Sequence, residues 1–184
     1  PHFCSGCPHN TSTKVPEGSL AMAGIGCHFM SQWMDRNTIT YTHMGAEGTT
    51  WAGLGHFSDL PHLFTNIGDG TYYHSGLLAI RQAVASGVNI TYKILYNDAV
   101  AMTGGQPVDG PISVQQISYQ LYGESIRRIA LVSDTPEKFD LKEFAPGVTL
   151  DHRDDLDRVQ RELRELEGTT VIIYEQVCGT EKRR

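Results

Sequence analysis

An α/β architecture, with a mainly parallel sheet carrying helices on both faces, is predicted by three observations. Strand-like and helix-like runs alternate along the chain, the strand-like runs have the apolar, β-branched and aromatic composition of buried strands, and a glycine-bearing break, Gly68-Asp69-Gly70, follows one of them directly. Leu63 to Ile67 has the composition of a buried strand, and Gly68-Asp69-Gly70 ends it ahead of a helical run from Ser75 to Ser86. Asn89 to Tyr96, β-branched and aromatic, is the next strand. A long glycine-bearing loop, Asp98 to Pro111, has the length of a functional or mobile segment. Val114 to Tyr122 reads as helix, Arg128 to Val132 as strand, and Thr135 to Gly147 as a proline-bounded excursion. From Arg153 to Glu167 an amphipathic helix is expected, with Leu156, Val159, Leu163 and Leu166 inward and a solvated charged face outward. Thr169 to Tyr174 is a last buried strand, and its end delivers Cys178.

The first third of the chain is less regular. Gly24-Ile25-Gly26 offers small residues that let backbone approach a ligand. His28 opens an expected helix with Phe29, Met30 and Trp33 on a core-facing side. Tyr41 to Gly48 reads as a polar loop, whose His43 is either a phosphate contact or an ordinary surface histidine.

With 184 residues and 40% hydrophobic content, the whole of 1–184 is expected to be one domain with its own core. A formal net charge of -6 excludes a nucleic-acid surface, which needs clustered cations, and the basic end Lys182-Arg183-Arg184 is too short to change that. No apolar run reaches membrane-spanning length and no secretory segment opens the chain, so a cytoplasmic location is expected. A start at Pro1 beside a cysteine motif, and a stop within a basic run, suggest a piece of a longer polypeptide.

Two constellations carry chemistry. Asp69 and Asn97 follow consecutive strands, so parallel neighbours would project both from one sheet edge, above a helix start whose free N–H groups suit phosphate. Magnesium takes one or two hard oxygen ligands from side chains and leaves the rest to phosphate and water. Gly-Asp-Gly alone would be read as a turn; the partner Asn97 is what strengthens it. The second constellation is Cys4-x2-Cys7 with Cys27 and Cys178, the only cysteines in the chain. In an acidic domain of intracellular type they fit a metal site better than disulfides, and two isolated later cysteines suit an iron–sulfur cluster better than zinc.

Gly-Asp-Gly, one βα unit, then Asn resembles the thiamine diphosphate fingerprint. With the cysteine pattern and Thr103-Gly104-Gly105-Gln106, the likeness extends over nearly the whole chain to the thiamine diphosphate-binding domain of 2-oxoacid:ferredoxin oxidoreductases. Phe3 to Asn10, Asp69 to Gly76 and Tyr96 to Gln106 are most similar to the indolepyruvate ferredoxin oxidoreductases in their long fused form, of which this chain would be a central slice. The resemblance implies a thiamine diphosphate-binding fold, with Asp69, Asn97 and the Ala99 carbonyl on magnesium. Gly68, Asp69, Gly70 and Thr71, together with Asn97, Ala99 and Met102, would line the diphosphate and thiazolium. Cys4, Cys7, Cys27 and Cys178 would hold a 4Fe-4S cluster, and Cys27 and His9 would lie beside the cofactor. His9 departs from the acidic residue of pyruvate-using relatives and Met102 replaces a polar one; both departures suit an aryl pyruvate.

The implied reaction is oxidative decarboxylation of a 2-oxoacid to an acyl-coenzyme A, with electrons passed to ferredoxin. The resemblance also implies an oligomer and a separate pyrimidine-binding domain that supplies the activating carboxylate; no catalytic residue is expected within this chain. Two other readings compete: a non-redox thiamine enzyme such as a decarboxylase or synthase, which needs no cysteines, and a zinc-stapled interaction module, which leaves Asp69 and Asn97 unexplained.

Overall fold

The computed structural model describes residues 1–108 and 110–183; Asp109, within the expected long loop, and Arg184 lie outside them. Seven parallel strands form one sheet in the order β2-β1-β3-β4-β7-β5-β6. They are β1 (Ala21–Ala23), β2 (Thr38–Tyr41), β3 (Leu63–Gly68), β4 (Ile90–Tyr96), β5 (Ile129–Ser133), β6 (Thr149–His152) and β7 (Thr169–Glu175). The helices are α1 (His9–Ser12), α2 (Thr49–Leu54), α3 (Asp69–Thr71), α4 (Leu77–Ser86), α5 (Val114–Gly123) and α6 (Leu156–Arg164). Among the described residues, no helix is long and apolar enough to cross a membrane.

The strands that were legible are the central ones. β3, β4, β5 and β7 are buried almost end to end, which favours apolar side chains on both faces and leaves the buried polar ones, such as Lys93, in need of partners. Alternation along β4 separates two cores. Ile90, Tyr92 and Ile94 pack with Ile80 of α4 and with Ile117 and Leu121 of α5, whereas Leu95 packs with Leu156, Val159 and Leu163 of α6. On the α6 face Lys93 is fully buried. Its ammonium donates to the carbonyls of Ser12 (2.7 Å) and Lys14 (2.9 Å) and to Gln160 Oε1 (3.1 Å), which ties the amino-terminal segment and α6 to the sheet.

Local signals explain the boundaries. α5 begins with a capping box: Ser113 Oγ accepts the Gln116 N–H while Gln116 Oε1 accepts the Ser113 N–H. α4 stops at Gly87, whose left-handed φ of 70° turns its N–H back onto the Ala83 and Val84 carbonyls. Between α3 and α4 lies a widened helical turn, Tyr72–Gly76, so the helix expected from Ser75 continues backwards as helical backbone to Asp69.

Two expectations are corrected. The helix expected from His28 is a tight 3-10 turn, Cys27–Trp33, that buries His28 and Ser31 and leaves Trp33 61% exposed. Three residues per turn put positions 28 and 31 on the inner side, and Phe29 instead stacks edge-on with Trp33 and Tyr41 in a half-exposed cluster. The second concerns α6, which ends at Arg164; Leu166 lies beyond it and is 40% exposed, outside the apolar stripe.

Candidate functional site

All the expected site residues but those of the amino-terminal motif follow directly from the carboxyl edge of the sheet. β3 and β4 run in register up to Gly68 opposite Leu95, so Asp69 and Asn97 leave adjacent strands side by side. Asp69 is 5% exposed and organises both exits: its Oδ1 accepts the Gly70 N–H (2.8 Å), and its Oδ2 accepts the N–H groups of Asn97 (2.9 Å) and Asp98 (2.8 Å). Asp98 is held there with a left-handed φ of 55°, a conformation that Asp tolerates better than most residues. Burial pushes the Asp69 carboxyl up, against the pull of those three N–H donors, so a cation beside it would relieve the desolvated charge. Asn97 Oδ1 accepts the Ala99 N–H (3.1 Å). Thr71 is buried, a side chain on Gly70 would meet open space, and Met102 is 54% exposed on the turn Ala101–Thr103. His43 is exposed.

The four cysteines come together. Cys4, Cys7, Cys27 and Cys178 line one cavity of about 50 Å³ together with His9 and Asn97. All four are free thiols. Burial, with a smaller push from the other thiols, drives Cys7 up to about 11 and raises Cys27 in the same way, so a metal centre is what would hold them as thiolates. Among the described residues no three His, Cys, Asp or Glu side chains gather closely enough to chelate one ion.

Two histidines fill the ground between cavity and cradle. His9 shares a hydrogen bond with Ser12 through Nδ1 (3.2 Å) and meets the rings of Phe3 (5.6 Å) and His28 (5.7 Å) edge-on. Burial lowers His9 to about 4, and burial with the neighbouring His9 lowers His28 to about 3, so both rings are neutral. The His28 ring is flanked by Gly26 and Gly68: a Cβ on Gly26 would come within 2.8 Å of it, and one on Gly68 within 3.6 Å. Its Nε2 is buried without a hydrogen-bond partner. An orphaned ring nitrogen beside the glycine that precedes Asp69 fits a polar group in the cradle, an anion where Nε2 carries the proton.

Sequence reasoning missed His28 as a site residue, having placed it at the start of a core helix. It also missed Glu47, inside the Tyr41 to Gly48 loop, which is fully buried with Oε2 accepting the Gly45 N–H (2.8 Å) and Oε1 unpartnered. Burial raises Glu47 to about 6. The one available signal was a lone carboxylate between glycines.

Residues 21–174 match the profile of the C-terminal TPP binding domain of thiamine pyrophosphate (thiamine diphosphate) enzymes. The chain belongs to that family. This thiamine diphosphate-binding domain is 27% identical over 99% of its length to the indolepyruvate oxidoreductase subunit IorA of Thermococcus kodakarensis, covering 30% of that protein. To the IorA subunit of Archaeoglobus fulgidus it is 33% identical over 60% of its length, covering 19% of the relative. It therefore spans about a third or less of these relatives. Among solved structures, its fold matches 2-oxoglutarate:ferredoxin oxidoreductase from Magnetococcus marinus with a TM-score of 0.72 at 18% identity, over 95% of this chain and 64% of that one. Benzoylformate decarboxylase from Polynucleobacter necessarius matches with a TM-score of 0.60 at 14% identity, over 94% and 33%.

Proposed function

We propose that this domain, residues 1–184, binds thiamine diphosphate with magnesium and a 4Fe-4S cluster within a larger cytoplasmic, oligomeric 2-oxoacid:ferredoxin oxidoreductase whose substrate is indolepyruvate. The observation that carries this reading is the convergence of four cysteines on one cavity that Asn97 also lines. A non-redox thiamine enzyme has no use for that cavity. Four thiolates could hold a single zinc or, one per iron, a four-iron cluster, and the two differ in colour and in iron content.

The groups themselves would supply an electron sink for decarboxylation and a one-electron carrier. The chain's own residues bind and orient. Asp69 and Asn97, with the Ala99 carbonyl, would offer hard oxygens to magnesium, and the Asp69 hydrogen bonds to Asn97 and Asp98 hold the second strand exit against the first. Gly68, Gly70 and Thr71 would line the diphosphate at the start of a helical run that continues into α4, with the Gly70 N–H turned onto Asp69 Oδ1. Neutral His28 offers its unpartnered Nε2 beside Gly68. The resemblance puts His9 and Met102 toward the substrate, and uncharged side chains there would favour an aromatic 2-oxoacid over pyruvate. The deprotonating carboxylate, coenzyme A and ferredoxin are assigned to the rest of the enzyme and its partners.

The test is anaerobic purification of the full-length enzyme with its Cys27→Ala variant. We expect brown absorption and iron with sulfide in the parent, loss of both in the variant, and retained thiamine diphosphate binding through Asp69 and Asn97. Ferredoxin reduction should fall to background while slow decarboxylation of indolepyruvate persists. A colourless parent containing zinc would refute the reading.

A further inference from the structure

We propose that Glu47 is a positioning residue for the cradle: in its protonated form the carboxyl clamps the loop after β2 to the sheet edge and to the cradle turn, and the clamped form is the one that takes the cofactor. The identity of that cofactor rests on the functional reading above. Glu47 is fully buried where several elements meet. From its own loop the Gly45 N–H donates to Oε2 (2.8 Å), and from β4 the Tyr92 hydroxyl donates to the Glu47 carbonyl (2.9 Å). At the exit of β1, the point where a Cβ on Gly24 would stand is 3.0 Å from Oε1 and 2.8 Å from the Asn66 carbonyl oxygen of β3, so these two oxygens flank one point. Oε1 has no partner. A carbonyl oxygen accepts and cannot donate, so a bond between the two needs a proton on the carboxyl. Protonated, Glu47 accepts from the loop with one oxygen and donates to the sheet with the other; ionised, it leaves a buried charge facing an acceptor.

The loop so held bears on the cradle. Gly45 lies against Ser75 with a left-handed φ of 88°, and a Cβ there would collide with the Ser75 hydroxyl. Ser75 belongs to the widened turn Tyr72–Gly76 that continues Asp69–Thr71, and Asn66 stands three residues before Asp69 on β3. Loop, cradle turn and strand end are thus braced on one carboxyl. Burial raises Glu47 to about 6, against the pull of the Gly45 N–H, which puts the release of the clamp just below neutral pH. Of the groups around it, Tyr92 from β4 stays neutral because burial pushes its hydroxyl far up, and Gly24 and Asn66 do not titrate. The cradle turn brings His74, which shares a hydrogen bond with Ser75 through Nδ1 (2.7 Å), and the loop itself brings exposed His43. Above the Glu47 titration, binding has to restore the clamp by taking up a proton.

The test is calorimetric titration of thiamine diphosphate with magnesium into the full-length enzyme freed of that cofactor, kept anaerobic, at pH 5.5 and pH 7.5. The parent is compared with Glu47→Gln, whose amide accepts from Gly45 and donates to Asn66 at either pH. The ratio of variant to parent affinity should be near one at pH 5.5 and threefold or more at pH 7.5, since a half-unit rise of the Glu47 titration on binding corresponds to about threefold. His43, His74 and the ionisations of the cofactor are common to both proteins and cancel in the ratio. Glu47→Ala, which has no clamp, should bind at least threefold more weakly than Glu47→Gln at both pH values. In the cofactor-free enzyme, hydrogen exchange over residues 41–48 should be faster in the parent than in Glu47→Gln at pH 7.5 and equal at pH 5.5. A carboxyl of merely structural use would give one affinity ratio at both pH values; that result, or Glu47→Ala binding as tightly as Glu47→Gln, overturns the positioning role. If parent and variants all fail to bind thiamine diphosphate, the functional reading falls, and exchange over 41–48 that differs between the proteins equally at both pH values overturns the clamp separately.

Discussion

Glu47 shows how much a single residue can hide. It is fully buried at the carboxyl edge of the sheet, where one oxygen accepts the Gly45 N–H and the other has no partner, and a Cβ on Gly24 would touch both that unpartnered oxygen and the Asn66 carbonyl. Burial raises its pKa from 4.5 to about 6. A carboxyl with a raised folded pKa keeps its proton where the unfolded chain has lost it. Its contribution to stability is then present below pH 4.5 and lost as pH rises to 6, by about 2 kcal/mol in total. Glu47→Gln keeps the acceptor for Gly45 and replaces the unpartnered oxygen with a donor near the Asn66 carbonyl. The variant should melt higher than the parent at pH 7 and lack the parent's decline between pH 4.5 and 6. Calorimetry across that range decides the matter, and an unchanged slope would remove Glu47 as its source. Nothing in the sequence separated Glu47 from a loop carboxylate, because its burial comes from glycines that let the loop fold onto the sheet.

At the scale of elements, β4 does more than contribute a strand. Lys93 lies in its middle, and an ammonium has three donors to place; all three go to acceptors outside the sheet. Burial lowers Lys93 to about 7, while three acceptors around Nζ favour the charged form, so the hydrogen bonds offset part of that burial. Lys93→Met would leave the Ser12 and Lys14 carbonyls and Gln160 without their donor, at a cost of about 3 kcal/mol. Faster hydrogen exchange is expected over residues 1–19, with β3 and β4 as protected as before. Uniform loss of protection across the sheet would mean that Lys93 supports the whole fold rather than the cysteine-bearing segment. The elements themselves were unevenly legible. β3, β4, β5, β7, α4, α5 and α6 stood out through long apolar runs, caps or amphipathic spacing. β1, β2 and β6 did not, since three or four residues carry too little pattern to rise above a loop.

For the whole molecule, the strand order is what makes a site. β7, last in the chain, sits inside the sheet between β4 and β5, and so carries Cys178 to the edge from which Asn97 leaves β4. Both chain ends then meet there, through the Gly6–Gly179 contact and the Arg183 to Ser5 hydrogen bond. If the cysteines hold a metal cluster, its removal by chelator in air should loosen both ends together. Hydrogen exchange in the full-length enzyme should rise over residues 1–8 and 177–183 in parallel, while 63–96 stays protected. A rise at one end alone would show that the two are not joined through the cavity.

The sequence by itself determined the parallel α/β class, the placing of Asp69 and Asn97 at the ends of neighbouring strands, and the Cys4-x2-Cys7 motif, because each rests on local periodicity, turn chemistry or motif spacing. The tertiary structure alone decided which cysteines share a cavity, that His28 and Glu47 are buried with unpartnered polar atoms, and that Lys93 anchors the amino-terminal segment. The physical reason is the same in each case. Burial and adjacency between residues far apart in the chain depend on the order in which strands enter the sheet, and strand order leaves no trace in local pattern.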